Sequence, residues 1–275
     1  MVLPDEELEL KRGSEAEEQV ERLTPEETKE VEALGAVVRE DEKPEPGKMK
    51  IDLHCHTEYS SDCATPISLI PARCQSTGIR VQAITDHNEI EGARLLKQRV
   101  EDTMDPQDLT IIVGEEVSTT EGEIIGLFLV EQIPAGLSPE DTVKAIKEQG
   151  GLVVLPHGFD PLKRFRLKPT ALERVIDEID IIETFNARIS NLKWNQAAVE
   201  WAQAHGVLMS AGTDAHRLSD IGTAWAEVPY RSIHHPEQLL DALKDGVPAG
   251  IWVHPALAFL YKSWDRTLRR LKLRK

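Results

Sequence analysis

Two short motifs carry the metal-binding side chains of this sequence. His54-Cys55-His56 follows an apolar run, Lys50–Leu53, and Asp214-Ala215-His216 follows another, Val207–Ser210. On an extended strand, side-chain direction repeats every two residues, so each pair can aim both ligands to one side. Two neutral imidazoles so placed suit Zn, Mn or Fe, and a carboxylate with an imidazole suits the same ions. Cys55, between the two histidines, should point the other way, into packing. Further candidates stand behind other apolar runs: Asp86-His87 after Val81–Ile84, Glu115-Glu116 after Thr110–Val113, His157 after Leu152–Leu155, and Glu183 with Asn186 after Ile179–Glu183. Other histidines read as structural. His205 precedes Gly206, where an imidazolium suits a helix end, and His234, His235 and His254 lie in polar or proline-containing loops.

These side chains need a frame that gathers strand ends separated by more than 150 positions. Between the apolar runs, which include Glu123–Val130, lie helical patterns at Pro66–Ser76, Glu89–Glu101, Pro139–Gln149 and Leu192–His205. Gly78, Gly150 and Gly206 stand where helices should stop. Such alternation predicts an α/β fold with a parallel sheet and helices outside. About seven strands in some 200 residues fit a closed barrel better than an open sheet. In a parallel barrel the C-terminal strand ends share one face, where the active site sits.

The ordered series Asp52-Leu-His-Cys-His56, Ser61-Asp62, Ile84-Thr-Asp-His87, Gly114-x-Glu116, Pro156-His157, Glu183-x-x-Asn186 and Gly212-Thr-Asp-Ala-His216 resembles the PHP family, named for its polymerase and histidinol-phosphatase members. It looks most like the bacterial branch containing nucleotide and oligonucleotide phosphoesterases. The resemblance implies a distorted (β/α)7 barrel with two or three divalent metal ions (Mn, Fe or Zn) at the C-terminal ends of the strands. It implies one ion on His54, His56, Glu116 and Asp214, and a second on Asp62, His87 and His216. Glu116 would bridge to a third, also held by His157, with Glu123 and Asn186 standing where relatives carry histidine. The implied reaction is hydrolysis of a phosphate ester of a nucleotide, short oligonucleotide or phosphometabolite by a metal-bound hydroxide. Bound metal brings the pKa of water near neutrality. Asp86 or His216 would move protons. Arg188 is the first choice for the substrate phosphate; Lys163, Arg164 and Arg166 come second and Arg217 third, since arginine offers a planar fork to phosphate. The alternatives are a metal-dependent amidohydrolase, disfavoured by the lack of an evident bridging lysine, and a non-catalytic regulatory domain of the same family.

Composition sets the surroundings. The 275 residues carry a net charge of −16, which argues against a general nucleic-acid coat. No apolar run approaches the roughly 20 residues of a membrane span. Three closely spaced cysteines, Cys55, Cys63 and Cys74, read as reduced thiols of a cytoplasmic protein. Residues 1–47 form an acidic extension poor in large apolar side chains, residues 48–230 the barrel, and residues 231–275 a C-terminal segment ending in a basic tail. From Lys262 to Lys275 that tail holds seven basic residues against Asp265, a charge of +6. No protein partner is predicted.

Overall fold

The computed structural model describes residues 47–252, so the acidic extension up to residue 46 and the basic tail lie outside the described residues. Nine strands form one sheet: β1 (Lys48–Asp52), β2 (Ile79–Ile84), β3 (Thr110–Thr119), β4 (Gly122–Leu127), β5 (Leu152–Leu155), β6 (Ile181–Asn186), β7 (Leu208–Gly212), β8 (Ala224–Pro229) and β9 (Val247–Gly250). Their order is β7-β6-β5-β4-β3-β2-β1-β8-β9. The sheet curls until the chain after β1 meets the chain after β7. Leu53 N–H donates to Ala211 O at 3.3 Å, Asp214 N–H to His54 O at 2.9 Å and His56 N–H to Ala215 O at 3.0 Å. The result is a nearly closed α/β barrel.

Helices cover the outside: α1 (Ile70–Thr77), α2 (Glu91–Thr103), α3 (Pro139–Glu148), α4 (Pro169–Val175) and α5 (Lys193–His205). Local signals set their ends. Ser138 caps α3 by accepting from Asp141 N–H, with Pro139 in its first turn. Gly78 and Gly206 close α1 and α5 in the left-handed region, at φ 76° and 68°. Outward-facing Ile79, Ile111, Val117, Ile124 and Val153 pack under these helices. Inward-facing Ile51, Val81, Ile112, Ile125 and Val154 fill the barrel. A sixth helix, α6 (Pro236–Leu243), adds Leu239, Ala242 and Leu243 to that inner cluster. Each fully buried aliphatic side chain of this kind contributes about 1.5–3 kcal/mol.

The expectation of an all-parallel sheet needs correction. β4 runs antiparallel to both β3 and β5, and β8 and β9 are antiparallel to their neighbours. β3 and β4 form a hairpin across Thr120 and Glu121, and both strands are largely buried. The reversal matters for the site. It puts the start of β4, not its end, at the mouth of the barrel.

Gly212 shows how tightly β7 approaches its neighbours. A Cβ there would lie 2.0 Å from Glu183 Oε1 and 2.5 Å from His54 Cβ. Gly212→Ala is therefore expected to displace both side chains and lower bound metal at least tenfold, even if the chain still folds. Metal content per chain, set beside the thermal transition, checks this; full metal loading would contradict it.

Candidate metal centre

β1 delivers His54 and His56, and buried hydrogen bonds hold them. Asp52 accepts from His54 N–H (3.1 Å), Thr213 N–H (3.1 Å) and Thr213 Oγ1 (2.7 Å), tying the end of β1 to the loop after β7. Burial pushes the Asp52 carboxyl up to about 6, though the Thr213 bonds oppose it. His54 Nδ1 donates to Glu183 Oε1 at 3.1 Å, and His56 Nδ1 to Ser60 Oγ at 3.1 Å. Each bond fixes a tautomer and leaves Nε2 available, the usual way a protein orients a metal-ligating imidazole. The two Nε2 atoms stand 3.1 Å apart and lie 3.4 Å and 3.3 Å from Glu116 Oε2. Asp214 Oδ1 is 3.9 Å from the first and 3.6 Å from the second.

A second group stands beside the first. His216 Nε2 is 3.0 Å from Asp62 Oδ2, and His87 Nε2 is 3.7 Å from Asp62 Oδ1. His216 Nδ1 lies 2.9 Å from Asp214 O and 2.5 Å from Arg188 Nη1, and its Nε2 faces the cluster. A third group surrounds the other side of Glu116. His157 Nε2 is 3.1 Å from Glu116 Oε1 and 3.7 Å from Glu123 Oε2; His87 Nδ1 is 3.1 Å from Glu116 Oε2 and 3.7 Å from Glu123 Oε1. The hairpin register explains Glu123. Opposite pairs are Glu116↔Ile125 and Ser118↔Glu123, so the two glutamates share the inner face two residues apart. Glu123 is only 5% exposed.

Ligand atoms of His54, His56 and Glu116, of His56, His87 and His216, and of His87, Glu116 and Glu123 each gather within 4.8 Å. Nitrogen and carboxylate oxygen in this mixture fit Zn, Mn or Fe. Backbone strain accumulates here too: His157 (φ 35°), Asp214 (φ 50°) and Asn88 (φ 54°) occupy the left-handed region without being glycine. His157 Nδ1 is buried without a hydrogen-bond partner.

Charge repulsion and desolvation shape the protonation of the group. Burial alone would lower the His54 pKa, yet Glu116, Glu183 and Asp214 hold it well above its ordinary value. His56 is pushed up to about 8 against its burial by Asp214 and Glu116. Burial works against Glu116 ionising, but His54, His157 and His56 keep its pKa well below the usual range. Burial, with Glu116 beside it, pushes Glu123 up to about 9. Burial and the neighbouring His56 take His216 down to about 4. Protons thus sit on His54, His56 and Glu123 near neutrality, and a divalent ion must displace them. The sign follows: metal affinity should rise with pH, by about tenfold per unit for each proton released, and level off for His56 above about 8. Calorimetric titration at pH 6, 7 and 8.5 in buffers of different ionisation enthalpy should detect at least one proton released at pH 7. Release of none would exclude His54 and His56 as ligands.

Several expected roles shift. Asp86 is not placed to move substrate protons. Its carboxylate accepts from Thr57 N–H, Thr57 Oγ1 and Ser60 Oγ at 2.6, 2.7 and 2.9 Å, and so holds the loop carrying His56. Asn186 is not among the gathered ligands. Its Nδ2 donates to Glu183 Oε2 (2.9 Å) and its Oδ1 accepts from Arg188 N–H (2.9 Å). Cys55 packs in the outer core, away from the cluster. Arg188 does reach the rim, where Nη1 donates to Asp214 O at 2.8 Å beside His216. Lys163 Nζ pairs with Asp214 Oδ2. Arg164 is exposed over the Phe165 ring, and Arg217 stands near Asp220. The sequence marks Glu183 as a candidate without a specific role and does not single out Ser60 or Thr213. Glu183 stands at a strand end, which was a signal; nothing marked the two hydroxyls.

The profile of the PHP domain matches residues 52–210, and that of the PHP-associated region matches residues 193–248. The chain belongs to the PHP family. Uncharacterized protein MJ0417 of Methanocaldococcus jannaschii is 34% identical over 194 residues, 70% of this chain and 75% of its own. A two-domain protein from Bacteroides vulgatus with a predicted PHP-like metal-dependent phosphoesterase superposes with a TM-score of 0.58, at 17% identity over 79% of this chain and 68% of that one. Endonuclease Q, in complex with a duplex carrying an abasic lesion at the active site, gives 0.54 at 14% identity over 76% of this chain and 60% of that one. At these identities the structural likenesses speak for the fold alone. PHP membership makes the chain one of a metal-dependent phosphoesterase family. Among the described residues no helix is long and apolar enough to cross a membrane.

Proposed function

We propose that this protein hydrolyses a phosphate ester of a nucleotide, short oligonucleotide or phosphometabolite. One observation carries the reading most: four histidines, His54, His56, His87 and His157, each place a ring nitrogen within 3.4 Å of the single buried carboxylate Glu116. Two or three divalent ions, Mn, Fe or Zn, would be held by His54, His56, Glu116 and Asp214, by Asp62, His87 and His216, and by Glu116, Glu123 and His157. When bound, such ions supply an acidified water as nucleophile and neutralise charge on phosphate and leaving group. The protein's own part is orientation. Glu183 and Ser60 aim the imidazoles, and Asp52 locks β1 against β7. Arg188 and Lys163, both in contact with Asp214, would receive non-bridging phosphate oxygens, with Arg164 and Arg217 as further candidates. His216, whose pKa burial and the neighbouring His56 take down to about 4, would serve as a ligand. The domain reading is likewise ours: a barrel of residues 48–230, the segment 231–275 after it and the acidic extension before it.

The test is direct. Stripped protein is reloaded separately with Mn, Fe(II) and Zn, then assayed on p-nitrophenyl phosphate, nucleoside bisphosphates, short oligonucleotides and cyclic amides. Hydrolysis of a phosphate ester with at least one ion is expected. Cleavage of amides alone would favour an amidohydrolase. Fewer than one metal per chain under replete conditions would favour a relict site.

A further inference from the structure

Two cations meet at Asp214 from separate segments of the chain. Lys163 comes from the segment between β5 and α4 and pairs with Asp214 Oδ2. Arg188 comes from the loop between β6 and α5 and donates through Nη1 to Asp214 O at 2.8 Å. Long side chains lose rotamer freedom when they grip an anion. Two of them on different loops can act as one fork only where the backbone beneath both is fixed. A buried carboxylate that takes no part in the chemistry proposed above does this.

Asp160 is 1% exposed. Its Oδ1 accepts from Leu162 N–H at 2.9 Å and from Ser190 Oγ at 2.6 Å, and its Oδ2 accepts from Ser190 N–H at 2.7 Å. Its carbonyl accepts from Lys163 N–H at 3.2 Å, so Lys163 ends a turn that Asp160 begins. Ser190 stands two residues after Arg188 in the other segment. One carboxylate therefore ties the backbone under Lys163 to the backbone under Arg188. A buried charge is costly unless its oxygens are bonded, and three donors satisfy this one. Asp160 is not among the gathered metal ligands. Both segments are also braced from behind. The Phe159 ring lies 6.1 Å from the Trp201 ring of α5. Ile189, between Arg188 and Ser190, accepts from Trp252 Nε1 at 2.8 Å, and Arg188 N–H donates to Asn186 Oδ1 at 2.9 Å.

We propose that Asp160, acting through Ser190, is a positioning residue that sets Lys163 and Arg188 as a two-cation fork for the substrate phosphate. The proposal rests on the phosphoesterase reading, and the experiment separates the two. A fork that holds phosphate equally in ground and transition states acts on KM rather than on kcat. Asp160→Asn keeps the volume but sets an amide N–H against one of the three donors around it. In full-length, Mn-loaded protein this variant should raise KM for p-nitrophenyl phosphate about tenfold and change kcat less than about threefold, with metal content unchanged. Ser190→Ala removes one of the three bonds and should raise KM about threefold; it serves equally if Asp160→Asn does not fold. A cycle then distinguishes positioning from mere support of the fold. In a Lys163→Gln/Arg188→Gln background either substitution should move KM by less than about twofold, because no fork is left to position. Unchanged KM in the single variants, or the same rise in both backgrounds, would overturn the proposal. Calorimetric binding of inorganic phosphate to the same proteins repeats the cycle without turnover. Failure of wild type to hydrolyse any phosphate ester would sink the phosphoesterase reading. Phosphate affinity lost only where Lys163 and Arg188 are present would still uphold the role of Asp160, and affinity unmoved by either substitution would end it.

Discussion

His54→Ala should abolish phosphate-ester hydrolysis while the barrel still folds. The imidazole Nε2 lies within 3.9 Å of three other candidate ligands, His56, Glu116 and Asp214, so its loss opens the first metal group. It also leaves Glu183 Oε1 without its imidazole donor and removes the largest opposite charge beside Glu116. Glu116 would then lose part of its compensation, which weakens the remaining ligands as well. A fall in kcat of more than a hundredfold is expected, about 2.7 kcal/mol of transition-state stabilisation. Metal counting should show at least one ion lost per chain, and a cooperative thermal transition should persist, since the inner cluster of Ile51, Val81, Ile112 and Ile125 is untouched. Asp214→Ala should behave alike but also release Lys163. If either variant kept more than about a tenth of wild-type kcat, the proposed first site would be wrong. Glu183→Gln makes a useful companion. It keeps the shape and loses the charged acceptor of His54 Nδ1 and of His157 N–H, so metal affinity should drop about 10- to 100-fold without a total loss.

The sequence was most legible where spacing and strand period coincide. His54-x-His56 continues the extended chain beyond β1, where period-two geometry aims both imidazoles inward; Asp214 lies in the left-handed region at φ 50°, so strand period alone does not account for the second pair. What brings the pairs together is the seam between β1 and β7, which residue spacing cannot reveal; Asp52 and Thr213 make it, from opposite ends of the sequence. Direction of strands was harder. β3 and β4 are buried on both faces, so neither shows the alternation that would mark a hairpin, and the turn at Thr120-Glu121 is short. Hydrogen-bond competition defeated two assignments. Asp86 was expected to move protons, but three donors from residues 57–60 occupy its carboxylate. Asn186 was a reasonable substitute for an imidazole until Glu183 and Arg188 took both ends of its amide. Helices α4 and α6 were missed because each is only one or two turns long and begins at a proline that also reads as a loop signal.

Glu123→Gln should empty one metal position and spare the others. The antiparallel course of β4 places this carboxylate at the mouth, 3.7 Å from both His87 Nδ1 and His157 Nε2. Two features make its site the weakest of the three. Glu123 carries a proton up to about pH 9 in the absence of an ion, because burial and Glu116 disfavour its charge. Binding there must release that proton, so occupancy should fall as pH drops. His87 is also contested, since its Nε2 faces Asp62 while its Nδ1 faces Glu116 and Glu123. A neutral imidazole has one lone pair to give, so an ion at the second group takes it from the third. The third position then rests on Glu116, Glu123 and His157, a set with two carboxylates that accepts Mn readily. Glutamine keeps the volume of Glu123 and removes the negative charge, leaving His157 and an already shared Glu116. Wild type should retain two ions after dialysis against a mild chelator and take up a third on Mn titration; the variant should retain the same two and show no third. Activity at limiting Mn should fall in the variant, with the residual rate set by the retained pair. Three equally tight ions in both proteins would remove Glu123 from the centre, and loss of all ions in the variant would mean that Glu123 supports the whole cluster rather than one position in it.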